Sequence, residues 1–443
     1  MVGRNLRIGV KEKAMNKYLA LAFLILLSGC ASVQGGASSG SGDGSSKKLS
    51  KEDYYRIGIN ETYERKVVYE ESPNTELIQV FFGTNREAFI SPSVEGKVKE
   101  HFIYKGKYSD DRLLALNPSK YGEIHFGYKK DENKVVHYGR TLVSVPKNFQ
   151  REKGNLQPWW LVEEVRIVLE GLRMRDVIKD NAVMLEEVSV LSPEKFLKNI
   201  KGYLNSSHSD KTALVFVHGF GVTWEDAARR TAQMSYDLEY DGVPIFFSWP
   251  SKGQISKRAY KYDYDLIDES VPYLEKFLMK IVNSEAEKIF LIAHSMGNIG
   301  LVQAITNIGK ELGHDKLPVF TEIILTAPDM NSGTFEDFVE KFQMAGKRVT
   351  LYSNSEDVAL EFSREHMHGG LRRAGDSKPE PITIKGMDSI DATNMNTGFI
   401  SINHSYPMEN RDVIEDISYL LRGVLAKDRF GLEPIKTYWV FKP

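Results

Sequence analysis

From Lys211 onward the chain alternates short, continuous apolar runs with longer amphipathic ones, and this alternation narrows the possible folds more than any other feature. The apolar runs are ALVFVHG, VPIFFSWP, KIFLIAHS, VFTEIILTAPD, KRVTLYSNSED and ITIKGMDSID, the last of them read as the final strand. Between them lie WEDAARRTAQMSYDLEYDG, ending at Gly242, then YDLIDESVPYLEKFLMKIVNS, a segment opening at Gly297, and a short one over Thr334–Met344. A closing amphipathic segment runs from Asn410 to Gly423. Strands with no polar alternation are buried on both faces, and the intervening helices do the covering. The expected class is α/β, a mostly parallel sheet with helices on both faces.

The chain before Lys211 reads differently. IQVFFGT, GEIHFGY, KVVHYGRTLVSVP, LVEEVRIVLEG and VMLEEVSVL are strand-like, Pro193 to Leu204 reads as a short helix, and LNSSHSD as a loop. This gives a strand-rich N-terminal region over 51–204, a catalytic domain over 211–430 and a C-terminal tail over 431–443. ASVQGGASSGSGDGSSKK has no apolar periodicity and reads as a flexible tether within 30–50. Residues 1–29 read as a signal peptide. MNKYLALAFLILLSGC has a basic start and an apolar run, Tyr18 to Leu27, too short to cross a bilayer. Met15 is the better start, with Met1 to Ala14 preceding it. The end, Leu27-Ser28-Gly29-Cys30, resembles the bacterial lipobox, which implies acylation at Cys30 (palmitate among the chains) and a membrane anchor. Ala31 in the next position implies the outer membrane, by the same resemblance to Gram-negative lipoproteins.

Cys30 is the single cysteine of the 443 residues, which excludes an intrachain disulfide and a multi-cysteine metal site. A formal net charge of -2, with no recurring basic cluster, argues against a nucleic-acid partner. No cofactor or metal is expected. Oligomeric state is not legible.

One strand-to-helix junction carries the chemistry. In FLIAHSMGN, Phe290 to Asn298, an apolar run ends at Ser295 and a helix opens just after it. A serine projecting beyond a sheet edge needs a sharp turn, and side chains two before and two after it must be small. Here they are Ala293 and Gly297, the pattern of a nucleophile elbow. A serine hydroxyl is a weak nucleophile and needs a base, itself oriented by a carboxylate. The expected chain order is serine, acid, histidine.

Two acids qualify, Asp329 and Asp357, each at the carboxyl end of a strand. Asp357 is favoured because the acid commonly follows the second strand beyond the nucleophile, with Asp329 the alternative. Of the late histidines, His366 and His368 sit in the polar stretch SREHMHGGLRRAGD. His404, in FISINHSYP, follows the last strand and is the expected base. The backbone N–H groups of Phe220, after VFVHG, and Met296, after the serine, are the expected oxyanion donors. His218 precedes the serine and is read as structural. The gap from Met330 to Gly346 holds one short helix and excludes a large cap. Ser248 to Asp265 reads as a loop whose Trp249, Tyr260, Tyr262 and Tyr264 either wall an acyl site or pack as ordinary loop residues.

FFGTNR, YGRTLVSVP, VFVHGF, EDAARRTAQMSYDL, FFSWPSKG, IAHSMGN, TAPDM, LYSNSEDVAL, IDATN and INHSYP together resemble the α/β-hydrolase superfamily. More narrowly they resemble a bacterial family of α/β hydrolases of unknown function, over about Ile78 to Leu421. The chain departs from that family at GGLRRAGD. The resemblance implies an α/β-hydrolase fold with a strand-rich N-terminal extension and, residue by residue, Ser295, Asp357 and His404. It implies no substrate. The expected function is a membrane-anchored serine hydrolase acting on an acyl ester. An acyltransferase or amidase with the same triad, or a non-catalytic surface-binding lipoprotein, are the alternatives.

Overall fold

The computed structural model describes residues 47–48, 75–91, 123–147, 183–206, 211–313, 316–317, 319–395 and 403–442. The segment read as a signal peptide, Cys30, nearly all of the segment read as a tether and the strand-like LVEEVRIVLEG lie outside them.

Among the described residues eleven strands form one sheet. Its centre follows the apolar runs: β7 (Thr212–Val217), β8 (Val243–Ser248), β9 (Lys288–His294), β10 (Phe320–Thr326), β11 (Gly346–Ser353) and β12 (Met387–Asp391). These pair in parallel in the order β12-β11-β10-β9-β7-β8. Alternate residues of β7 enter opposite cores. Ala213, Val215 and Val217 pack under one set of helices, Leu214 and Phe216 under the other. That is why the strand has no polar face.

The first core is covered by α1 (Pro193–Ser206), α3 (Lys257–Val282), α4 (Gly297–Leu312) and α5 (Ser332–Gln343), the second by α2 (Trp224–Asp237) and, through its buried Val413, Ile414, Ile417 and Leu420, by Arg411–Leu421. Helix α2 begins where Thr223 Oγ1 accepts the Asp226 N–H at 3.1 Å. Asn410 caps Arg411–Leu421 in the same way. No helix among the described residues is long and apolar enough to cross a membrane.

The strand-rich N-terminal region extends this same sheet. β2 (Thr75–Thr84) lies parallel to β8, and β5 (His137–Pro146) and β6 (Met184–Leu191) continue outward antiparallel. Phe81 belongs to the first core, Val80 and Phe82 to the second. Phe82 meets Trp224 edge-on at 4.9 Å. β3 (Arg86–Ser91) and β4 (Glu123–Lys130) form a separate small sheet with β1 (Lys47–Lys48).

Two segments depart from the sequence reading. Helix α3 starts at Lys257, so Tyr260, Tyr262 and Tyr264 are helical rather than in a loop. Ser256 Oγ accepts the Ala259 N–H at 3.1 Å, and Ala259, Tyr260, Asp263, Leu266 and Ile267 already form a buried stripe. Tyrosine is a poor helix former, and its polar end hid the stripe. The strand at ITIKGMDSID is not the last. β13 (Leu432–Ile435) and β14 (Tyr438–Phe441) form a hairpin within the segment read as a tail, and β14 pairs in parallel with β12. Each is four residues long and they are joined without glycine or asparagine, which left no turn signal.

The order β9-β7-β8 places a topological switch at β7, because the chain leaves β7 to one side and returns on the other. The crevice beyond the carboxyl ends of β7 and β9 is where open α/β sheets bind ligands.

Candidate active site

Ser295 stands in that crevice, directly after β9, with φ of 53°. A left-handed backbone costs a non-glycine residue about 1–2 kcal/mol, so the surroundings must hold it. Its N–H donates to Thr326 O at 3.0 Å. Its carbonyl accepts the Asn298 N–H at 3.1 Å and the Asn298 Nδ2–H at 2.9 Å. Asn298 also reaches Thr326 O at 3.1 Å, which locks the turn between the ends of β9 and β10.

The need for a small residue at 297 has a definite cause. A Cβ on Gly297 would stand 2.3 Å from His218 O and 2.7 Å from Val217 O. Both are backbone atoms at the end of β7, where nothing can yield. Gly297→Ala is therefore expected to lower unfolding stability by about 3 kcal/mol or more, read as a fall in the denaturant midpoint. An unchanged midpoint would show that the elbow has slack.

The loop after β7 closes over the serine. A Cβ on Gly219 would lie 2.8 Å from Ser295 Cβ. Neither the Phe220 nor the Met296 N–H donates to a protein acceptor among the described residues. The peptide joining Gly219 to Phe220 is oriented from behind. Arg86 Nε–H donates to Ser248 Oγ at 2.9 Å, and Ser248 Oγ is 3.0 Å from His218 Nε2. His218 Nδ1 donates to Gly219 O at 2.9 Å. Only one tautomer satisfies that chain, with the proton on Nδ1. Because the peptide is planar, fixing Gly219 O fixes the opposite direction of the Phe220 N–H. Burial, and then the charge of Arg86, push the His218 imidazole down to about 3, so it stays neutral.

Arg86 is 1% exposed. Besides Ser248 it donates to Gly127 O at 3.0 Å, Ser251 O at 2.9 Å and Val222 O at 2.9 Å. Burial lowers its pKa to about 10, which leaves it charged. Asp263, fully buried on α3, works beside it. It accepts from Ser251 Oγ at 2.5 Å and from the Lys252 and Gly221 N–H groups at 2.8 and 3.2 Å. Neither residue stands out in the sequence as part of a site. The one available signal was the Arg in FFGTNR.

His404 Nδ1 is 2.7 Å from Asp357 Oδ2. The other carboxylate oxygen, Oδ1, accepts the Leu360 N–H at 2.9 Å and caps the helix Val358–Phe362. One side chain thus serves as helix cap and histidine partner, and the cap fixes the carboxylate's angle. His294, the residue before the serine, reaches His404 O through Nε2 at 3.0 Å, and its ring lies 4.7 Å from that of His404. A carbonyl can only accept, so His294 Nε2 carries the proton. Burial holds His294 well below its usual range and keeps it neutral. For His404 burial acts downward too, but the Asp357 charge and hydrogen bond, with Asp329 and Glu409, outweigh it and raise its pKa. Burial raises that of Asp357, against the pull of His404. No hydrogen bond joins the Ser295 hydroxyl to His404 among the described residues; in unliganded sites that bond is often long.

Asp329 lies elsewhere in the network. Its carboxylate accepts from Arg373 Nε at 2.7 Å, Ser363 Oγ at 2.6 Å and Tyr260 Oη at 2.7 Å. Its N–H donates to Ser295 O at 3.3 Å. His368 Nε2 is 2.8 Å from Tyr260 Oη, so this histidine is tied into the same cluster. His366 lines a separate surface cavity. Trp249 is fully buried, stacked on His218 at 5.1 Å, with its Nε1–H on His218 O at 2.8 Å. It is a support for the loop after β7 rather than an open acyl wall, and Tyr260 is buried likewise. Among the described residues no group of three or more His, Cys, Asp or Glu is placed to hold a metal.

Comparison with known proteins gives one family. A family model described as an alpha/beta hydrolase of unknown function (DUF900) matches residues 193–422, more than half of the chain. Strands β2 to β6 lie outside the matched segment. Among solved structures, phospholipase PlaB from Legionella pneumophila aligns at 12% identity over 51% of this chain and 67% of that one, with a TM-score of 0.24. The same phospholipase in complex with thio-NAD aligns at 13% identity over 51% and 65%, with a TM-score of 0.23. No curated protein matches. With its elbow, sheet order and matched segment in agreement, the chain belongs to the α/β-hydrolase family of unknown function DUF900.

Proposed function

We propose that this α/β hydrolase is a membrane-anchored serine hydrolase of carboxylic esters. Ser295 Oγ attacks the acyl carbonyl while His404 Nε2 takes its proton. Asp357 holds the imidazole and balances its charge. The Phe220 and Met296 N–H groups receive the oxyanion. The tetrahedral intermediate collapses, the alcohol leaves with the proton from His404, and a water activated by His404 then cleaves the acyl-enzyme. Acylation of Cys30 anchors the chain at the cell envelope, on the outer membrane if the cell is Gram-negative. Transfer of the acyl group to an alcohol, or attack on an amide, would use the same residues.

The observation that carries this reading is the double hold on His404. Its ring is bonded to Asp357 at 2.7 Å, and its backbone to the residue preceding Ser295 at 3.0 Å. A chain that only binds would have no need to bring a paired imidazole to a strained serine.

The experiment is fluorophosphonate labelling of fractionated cells. The wild type is expected to be labelled in the membrane fraction. Ser295→Ala should abolish the label, and Cys30→Ser should move it to the soluble fraction. An unlabelled, folded wild type would favour the binding lipoprotein. A Cys30→Ser protein that stays in the membrane would remove the anchor. A screen of ester chain lengths then identifies the acyl group.

A further inference from the structure

On the outer side of the first turns of α3 lies a cavity of about 520 Å3, lined in part by Lys257, Arg258, Lys261, Asp265 and His366. Lys257, Arg258 and Lys261 are exposed, and among the described residues no acid pairs with any of them. Of the acids nearby, Glu361, Glu365 and Asp376 all lie within 3.7 Å of Arg364, which leaves Asp265 as the one carboxylate among the lining residues, against three cations. Lys252, which among the described residues has no acid partner either, adds a fourth cation, its Nζ 5.5 Å from the ring of Tyr128 and 5.4 Å from that of Tyr262, another residue lining the cavity.

This charge arrangement works against the helix that carries it. Lys257 and Arg258 occupy the first turn, which holds no acid, where the helix dipole disfavours cations. Lys257 and Lys261 are four apart on one face, a repulsive spacing. An anion in the cavity relieves both. The same turn of α3 also reaches the loop after β7. Tyr260, on the inner side of the same turn, meets Phe220 edge-on at 5.2 Å. Ile255, 46% exposed, lies beside Gly221 of the loop after β7, so the cations stand next to bare apolar surface.

We propose that this cavity binds a phosphate group, held by Lys257, Arg258 and Lys261. The source is either the headgroup of an anionic phospholipid or a free phosphate, and the assignment does not depend on the chemistry of Ser295. The test uses the full chain carrying Cys30→Ser and Ser295→Ala, so that neither an anchor nor turnover intervenes. One arm measures partition onto phosphatidylglycerol vesicles against phosphatidylcholine vesicles at rising salt. The other titrates inorganic phosphate by calorimetry. K257Q/R258Q/K261Q is expected to weaken binding on the order of a hundred-fold. K276Q/K310Q/K427Q, which removes the same charge from exposed positions elsewhere, should leave it within a few-fold.

Salt-sensitive preference for phosphatidylglycerol that the first triple variant abolishes identifies a lipid headgroup. Saturable phosphate binding without vesicle preference identifies the free anion. Binding in neither arm overturns the proposal. So does equal loss in both triple variants, which would mean diffuse surface charge.

Discussion

Ser295→Ala and His404→Ala are each expected to lower kcat by roughly six orders of magnitude, and the double variant should lose no more than either alone. In the proposed mechanism nucleophile and base act as one unit, so removing either removes the covalent route and leaves only donors and binding. His404 is the histidine at issue because it alone of the late three is bonded to a buried carboxylate free of other cations. His368 shares a tyrosine hydroxyl with Asp329, and His366 faces the outer cavity. Single-turnover and steady-state rates on the best ester substrate provide the check. A comparable loss in His368→Ala, with His404→Ala nearly active, would reassign the base.

The second large effect separates the two acids. Asp357→Asn should lower kcat by about four orders of magnitude, because an amide favours the wrong imidazole tautomer. It should also move the acid limb of the pH–rate profile downward. His404 must be neutral to accept a proton, and the Asp357 charge is what raises its pKa. Without that charge the neutral form persists to lower pH. Asp329→Asn should leave kcat within about tenfold but lower stability by about 3–5 kcal/mol, since Arg373, 1% exposed, would lose its anionic partner. Rates and denaturant midpoints on both variants decide the matter. Were Asp329→Asn to abolish turnover and Asp357→Asn to spare it, the acid roles would be exchanged.

What was legible in the sequence was local. The turn around Ser295 could be read because its constraint falls on residues two places away. The alternating strands could be read because burial on both faces leaves a one-dimensional trace. Position alone does not separate Asp329 from Asp357, since each follows a strand at the same edge. Only the side chains on neighbouring segments distinguish them: Arg373 beside one, His404 beside the other. The merging of the N-terminal strands into the main sheet was hidden for the same reason, because β2 pairs with β8 across more than a hundred residues. The tyrosines of α3 misled because composition suggested an open aromatic wall, whereas Tyr260 spends its hydroxyl inside the network.

The buried guanidinium of Arg86 has a bearing on how loss of function would be mapped in this protein. It steers the peptide above Ser295 through Ser248 and His218, yet it belongs to a stretch of chain well upstream of residues 193–422. A survey of inactivating substitutions confined to the shared segment would sample the proposed reacting groups and miss their steering gear. Only a survey of the whole chain would turn up Arg86, a distant position whose loss would disturb the proposed site while every proposed reacting side chain remains in place.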